Sequence, residues 1–129
     1  MRGIGTGESD QCESRNFNYD GRIFKGIENY DDGDLVADTR FYYHQTGTTV
    51  WGLIKGNGIR IGTLIAAVED NGSLVMTWQY LSSNNEFVSG TCFSKPEILP
   101  DGRYRLHEEW NVHGPDGITG KSVIEEISA

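Results

Sequence analysis

The chain has 129 residues, 11% of them aromatic, and carries a formal charge of −8 at a pI near 4.7. That length sets one domain with a useful core, because chains of this size bury roughly two-thirds of their unfolded surface; the aromatic content argues for packing over disorder. Eleven scattered basic residues against nineteen acidic ones exclude a nucleic-acid binder, which needs clustered Lys and Arg, and the acidity reads as solubility.

Residues 1 to about 16 are rich in Gly, Ser and acids, and read as a flexible tail. Residues 17–129 form the single domain. The opening Met1–Asp10 holds no apolar h-region, so no signal peptide is expected. No run approaches membrane-spanning length. Cys12, in the tail, and Cys92, in a strand, are the only cysteines, so no native bridge is expected and the setting is reducing and cytoplasmic.

From Asp31 onward, turn signals recur: Asp31–Asp34, Gly47, Gly56–Gly58, Asp70–Gly72, Ser82–Asn85, Pro100–Gly102 and Gly114–Gly117. Gly permits positive φ, and Asn and Asp tolerate it, so these are points of reversal. They separate eight candidate strands, at about Gly21–Asn29, Leu35–Gln45, Thr49–Lys55, Ile59–Glu69, Ser73–Leu81, Glu86–Ser94, Arg103–Val112 and Thr119–Ile127. No segment has helical period. The expected fold is an all-β antiparallel up-and-down meander, closed into a lipocalin-like (calycin-like) barrel. Lys95–Pro100 carries two prolines, which exclude it from a central strand, and Ile98 and Leu99 are expected to plug one barrel end.

Side chains alternate along a strand, so faces can be assigned. In the seventh strand Tyr104, Leu106, Glu108, Trp110 and Val112 form the inward row, which places one carboxylate among apolar and aromatic groups. In the second, Leu35, Ala37, Thr39, Phe41, Tyr43 and Gln45 point inward, and in the fifth Leu74, Met76, Trp78 and Tyr80. The fourth is apolar on both faces; Ile61, Thr63, Ile65 and Ala67 would form an outer stripe for a partner, here an expected homodimer. In the last, Ser122, Ile124 and Glu126 alternate with Val123, Glu125 and Ile127, and residue pattern alone decides neither face.

The stretches Phe41-Tyr42-Tyr43-His44-Gln45, Val50-Trp51-Gly52, Ser94-Lys95-Pro96-Glu97-Ile98-Leu99-Pro100-Asp101-Gly102-Arg103, Leu106-His107-Glu108-Glu109-Trp110 and Gly120-Lys121-Ser122-Val123-Ile124-Glu125-Glu126-Ile127 occur in an order that resembles a family of small uncharacterised bacterial proteins often labelled N-acetylglutamate synthase. The resemblance spans roughly residues 17 to 127. It implies that Gly90, Cys92 and Ser94 face inward, because positions matching Thr91 and Phe93 can be charged. It likewise implies Ser122 and Glu126 inward, because the position matching Lys121 can be acidic. The label implies acetyl transfer from acetyl-CoA, for which a glycine-rich loop before a helix cradles the pyrophosphate. Gly56-Asn57-Gly58-Ile59-Arg60-Ile61-Gly62 instead reads as a hairpin turn entering a strand.

Glu108 is the sharpest candidate site. Burial raises a carboxyl pKa and suits it to general acid/base work or to anchoring a ligand; Glu126 on the neighbouring strand is expected nearby. The plain alternative is a buried network with Tyr43, Tyr80, Gln45 or Ser122. Tyr43, Gln45, Trp51, Trp78, Tyr80, Cys92 and Trp110 are the expected ligand-lining residues, although such barrels can also be filled by side chains. Cys92 reads as a small buried hydrophobe, since no His shares its face. His44, His107 and His113 share neither a face nor a ligand spacing, so no metal and no cofactor are expected. Three readings stay open: a barrel that binds a small organic molecule, a barrel enzyme using Glu108 as general acid/base (isomerase, cyclase or lyase), and a dimerising interaction protein with a filled barrel.

Overall fold

The computed structural model describes residues 17–29 and 38–127. Its strands in chain order are β1 (Ile23–Asn29), β2 (Arg40–Thr46), β3 (Thr49–Gly56), β4 (Ile59–Val68), β5 (Leu74–Ser82), β6 (Phe87–Ile98), β7 (Tyr104–Val112) and β8 (Thr119–Glu126). Each pairs antiparallel with its neighbours in sequence, and β1 pairs with β8, so the meander closes into an eight-stranded barrel. This is the calycin-like barrel that the turn spacing predicts. The punctuation works as backbone chemistry requires. Asn57-Gly58 makes a two-residue hairpin with Gly58 at φ 83°, and Asn85, at φ 65° in the β5–β6 turn, is the one non-glycine with positive φ among the described residues.

The inward rows follow the alternation. Phe41 and Tyr43 on β2, Val50 and Ile54 on β3, Leu64 on β4, Met76 on β5, Cys92 on β6, Trp110 on β7 and Ile124 on β8 are all buried in one core. On the outer face Ile61 and Ile65 are 58% and 61% exposed, and Leu53 and Val75 are exposed to a lesser degree. No helix among the described residues is long and apolar enough to cross a membrane.

Several expectations need correction. Pro96 does not end β6, which continues to Ile98 with Pro96 opposite Leu106. The ladder to β5 stops at Leu74↔Ser94, so beyond Ser94 the strand has one neighbour only, and a proline lacking its N–H is tolerated there. Leu99 is buried at that end, as expected, but Ile98, on the inward row opposite Tyr104 at the rim, is half exposed and plugs nothing. The anticipated strand start at Leu35, with Leu35 and Ala37 inward, lies outside the described residues, as do the tail 1–16 and Cys12.

The two barrel ends differ. The end bearing the β2–β3, β4–β5 and β6–β7 turns is closed by the strap 17–22. Tyr19 is fully buried there; its hydroxyl donates to the Gly72 carbonyl at 2.6 Å, and its ring meets Tyr104 edge-on at 5.5 Å. Phe17 occupies the space a side chain at position 72 would need. Gly21 and Arg22 exchange backbone hydrogen bonds with Tyr43, at 2.9 and 3.0 Å, which ties the strap to β2. The opposite end, with the β3–β4, β5–β6 and β7–β8 turns, leads into the barrel.

Candidate functional site

One rung of the sheet builds the polar centre. Ser94, Glu108 and Ser122 lie directly opposite one another on β6, β7 and β8. Ser94 donates to Glu108 Oε2 and Ser122 to Glu108 Oε1, each at 3.1 Å. Cys92 Sγ is 3.6 Å from Ser94 Oγ. Burial pushes the Glu108 carboxyl up to about 7, against the opposing effect of donors from Ser94, Ser122 and Cys92. Burial, and then the nearby Glu108 charge, raise the Tyr43 hydroxyl and the Cys92 thiol well above their ordinary values. Both therefore stay protonated near neutral pH.

Above this rung, toward the open end, is a cavity of about 330 Å³, the low end for small-molecule sites. Tyr43, Cys92, Glu108 and Trp110 line its depth, Phe41, Ile54, Leu64 and Met76 its walls, and Trp78, Tyr80, Val88, Val112 and Ile118 the approach. The barrel is thus hollow at this end. Trp78 and Tyr80 stand nearly parallel, 14° apart with centroids at 6.1 Å, as one flat wall. A glycine stands across the ladder from each large ring: Tyr43 faces Gly52, Tyr80 faces Gly62, Trp78 faces Gly90 and Trp110 faces Gly120. A Cβ at position 90 would stand 2.5 Å from the Trp78 ring and 1.9 Å from the Asn111 carbonyl oxygen.

The polar inventory of this cavity is unusual. Trp78 Nε1 donates to the Thr91 carbonyl at 3.1 Å. Tyr43 Oη and Trp110 Nε1 are buried and have no hydrogen-bond partner among the described residues. An unpaired buried donor costs about 1–3 kcal/mol, so two such groups in one cavity with a carboxylate point to ligand use. A larger depression, about 970 Å³, lies on the outer face between β3 and β8. Its polar side chains, such as Thr91, Glu109 and Asn111, face solvent, so it lacks this signature.

Of the expected site residues, Glu108, Tyr43, Trp78, Tyr80, Cys92 and Trp110 converge on the cavity. Trp51 does not. It is 40% exposed on the outer face against His44, because the inward set of β3 is Val50, Gly52 and Ile54. Gln45 has the inward parity but sits at the closed end, where its Oε1 accepts from the Tyr19 amide at 2.8 Å and its Nε2 donates to the Gly47 carbonyl at 2.8 Å. Glu126 is buried yet is not beside Glu108. It lies four residues past Ser122 on the same face, about 13 Å along the strand. There it accepts from Arg22 Nη1 at 2.8 Å and from the Tyr104 amide at 3.0 Å, while the Arg22 guanidinium stacks 3.7 Å over the Tyr104 ring. Glu126 anchors the strap, so its expected pairing with Glu108 is withdrawn. The hydrogen bonds of Glu108 run to Ser94 and Ser122 rather than to Tyr43, Gln45 or Glu126. Ile54, Leu64, Val88 and Ile118 were not foreseen as lining residues. Among the described residues no three His, Cys, Asp or Glu side chains group closely enough to hold a metal ion.

A closed meander barrel with one end capped and one hollow is the setting in which the comparison with known proteins is informative. The family model described as avidin-like protein matches residues 17–127. The chain belongs to that family. The match begins at Phe17, the first residue of the strap, so the avidin-like unit includes the plug as well as the strands. Comparison with the curated proteins and with the solved structures finds no match.

Proposed function

We propose that the protein binds a small, neutral, largely apolar organic molecule bearing a hydrogen-bond acceptor, in the hollow end of the barrel. The observation that carries this reading is the pair of partnerless buried donors, Tyr43 Oη and Trp110 Nε1, in a cavity otherwise walled by aliphatic and aromatic groups. The cavity equals the liquid volume of about ten waters, which suits a one- or two-ring compound. Among the described residues no Lys, Arg or His lines it, and Glu108 does. A ligand carboxylate would meet like charge without a counter-ion. The same argument weighs against glutamate, the acceptor substrate implied by the synthase label. The proposal includes a reducing, cytoplasmic setting, supported by the free thiol of Cys92, and a homodimer over the exposed stripe of Ile61 and Ile65.

Calorimetric titration with 2-tetralone, a neutral two-ring ketone, tests the binding reading. Saturable binding at one site is expected, with at least a tenfold loss in Ile118→Trp, which narrows the mouth, and no change in Trp51→Phe on the outer face. Equal affinity in all three proteins would place the binding elsewhere and refute the reading.

A further inference from the structure

We propose that the cavity also moves protons: the Glu108 carboxylate removes a hydrogen from the carbon next to a bound ketone, while Tyr43 Oη–H and Trp110 Nε1–H hold the oxygen that becomes an enolate. The inference rests on the binding reading above and adds a reaction to it.

Enolisation needs a fixed base, donors aimed at the oxygen where charge develops, and a site poor in water. All three are present. Ser94 and Ser122 each hold one oxygen of Glu108 at 3.1 Å, which fixes the carboxylate plane; with Cys92 as a third donor, one of its four acceptor sites is left for the substrate. Trp110 follows Glu108 by two residues on the inward row, about 7 Å along β7, and Tyr43 lines the same cavity. Base and donors thus stand within the span of one ring system. Neither donor has a partner to give up among the described residues, so their hydrogen bonds are pre-organised for an incoming oxygen. Burial keeps the Tyr43 hydroxyl and the Cys92 thiol protonated, so Tyr43 acts as donor, and Glu108, the one carboxylate lining the cavity among the described residues, serves as base.

The step balances without a further reagent. The C–H pair becomes the C=C bond, the carbonyl π pair moves to oxygen, and the proton passes to Glu108. Return of the proton to the same carbon gives exchange. Return to the γ-carbon of a β,γ-unsaturated ketone moves the double bond into conjugation. The substrate class is therefore a neutral cyclic ketone with an α-hydrogen, and the reaction class is isomerisation.

The test uses the full chain with 2-tetralone in deuterated buffer, following loss of the α-proton signals by NMR beside calorimetric binding. Exchange at least about 100-fold faster than in buffer is expected. It should fall to the buffer rate in Glu108→Gln and drop tenfold or more in Tyr43→Phe, with 2-tetralone still bound by each. The wild-type rate should rise with pH as Glu108 ionises; the other titratable groups facing it, Tyr43 from β2 and Cys92 from β6, stay neutral across that range. Binding with exchange at the buffer rate overturns the proton-transfer proposal and leaves the binding reading standing. Undiminished exchange in both variants overturns it as well, and absence of binding overturns both. Should Glu108→Gln not fold, Tyr43→Phe and the pH profile decide the matter alone.

Discussion

Glu108 should make the fold less stable as pH rises through neutrality. Its carboxyl moves from an ordinary 4.5 to about 7 in the folded chain, and at about 1.36 kcal/mol per pH unit that difference corresponds to about 3 kcal/mol. The sign is set by proton counting. Between pH 4.5 and 7 the folded chain keeps a proton that the unfolded chain has released, so stability falls as pH increases. The contribution is whole below about 4.5 and lost above about 7. Glu125, held down by Arg105 and then Arg103, and Asp101, held down by Arg103, act in the opposite sense. Their stabilisation is lost only as pH drops below the ordinary carboxyl range, outside this window. Glu108→Gln removes the titration while keeping the shape, and an amide can still hydrogen-bond both Ser94 and Ser122. Urea unfolding of both proteins at pH 5, 6, 7 and 8 should show the wild type losing about 3 kcal/mol relative to the variant, a midpoint shift of about 1–3 M. Midpoints that stay parallel over this range would refute a raised Glu108 and the burial argument behind it.

Arg22→Met should lower unfolding free energy by about 3 kcal/mol, measured in urea at pH 7, because it leaves the Glu126 carboxylate buried without its cation. Gly90→Ala should cost about 3 kcal/mol or more and alter the near-ultraviolet dichroism of Trp78, since the new methyl meets backbone at Asn111 and the indole itself. Ile61→Lys with Ile65→Lys should convert a dimer to a monomer in sedimentation velocity with little change in unfolding midpoint; a wild type that is monomeric at high concentration would remove the dimer from the proposal.

What could be read from the residues depended on how clean the alternation was. In β7 polar and apolar residues alternate from Tyr104 to Asn111 with Glu108 as the one exception, and the inward row came out right, Glu108 included. In β3 the run Val50-Trp51-Gly52-Leu53-Ile54 is apolar on both parities, so Trp51 was drawn inside by its size. Lys55 held the missing information: two steps of parity from it put Leu53 and then Trp51 outside. Gln45 shows that parity gives the face and not the depth, for it points inward at an end filled by Tyr19. The Glu126 error was one of register. A hairpin centred near residue 115 pairs Glu108 with Ser122 and Arg105 with Glu125, which already separates Glu108 from Glu126. The strap 17–22 has no periodicity to read. It is defined by long-range contacts from Tyr19, Phe17 and Arg22, and those exist only once the barrel has closed.

The glycines opposite Tyr43, Trp78, Tyr80 and Trp110 bear on why this end of the barrel is hollow. A side chain at Gly90 would collide with the Trp78 ring, and one at Gly62 would press on Tyr80 and Ile54, so these two glycines let Trp78 and Tyr80 lie back against the sheet instead of crossing the lumen. The same aromatic content could have filled the barrel. At the closed end it does, with Tyr19, Phe24 and Tyr104 packed together and the one buried carboxylate, Glu126, matched to Arg22. At the open end the rings are displaced to the walls, and two donors are left without partners. Tyr43→Phe separates the consequences. Deleting a buried unpaired hydroxyl should stabilise the ligand-free chain by about 1 kcal/mol, read from the urea midpoint at pH 5, where Glu108 is protonated in both proteins. It should also weaken 2-tetralone binding several-fold. A hydroxyl placed only for packing would give a stability change with unchanged affinity; one serving a buried network would make the variant less stable. The predicted combination, a more stable chain that binds less well, arises only where the group is kept for a ligand.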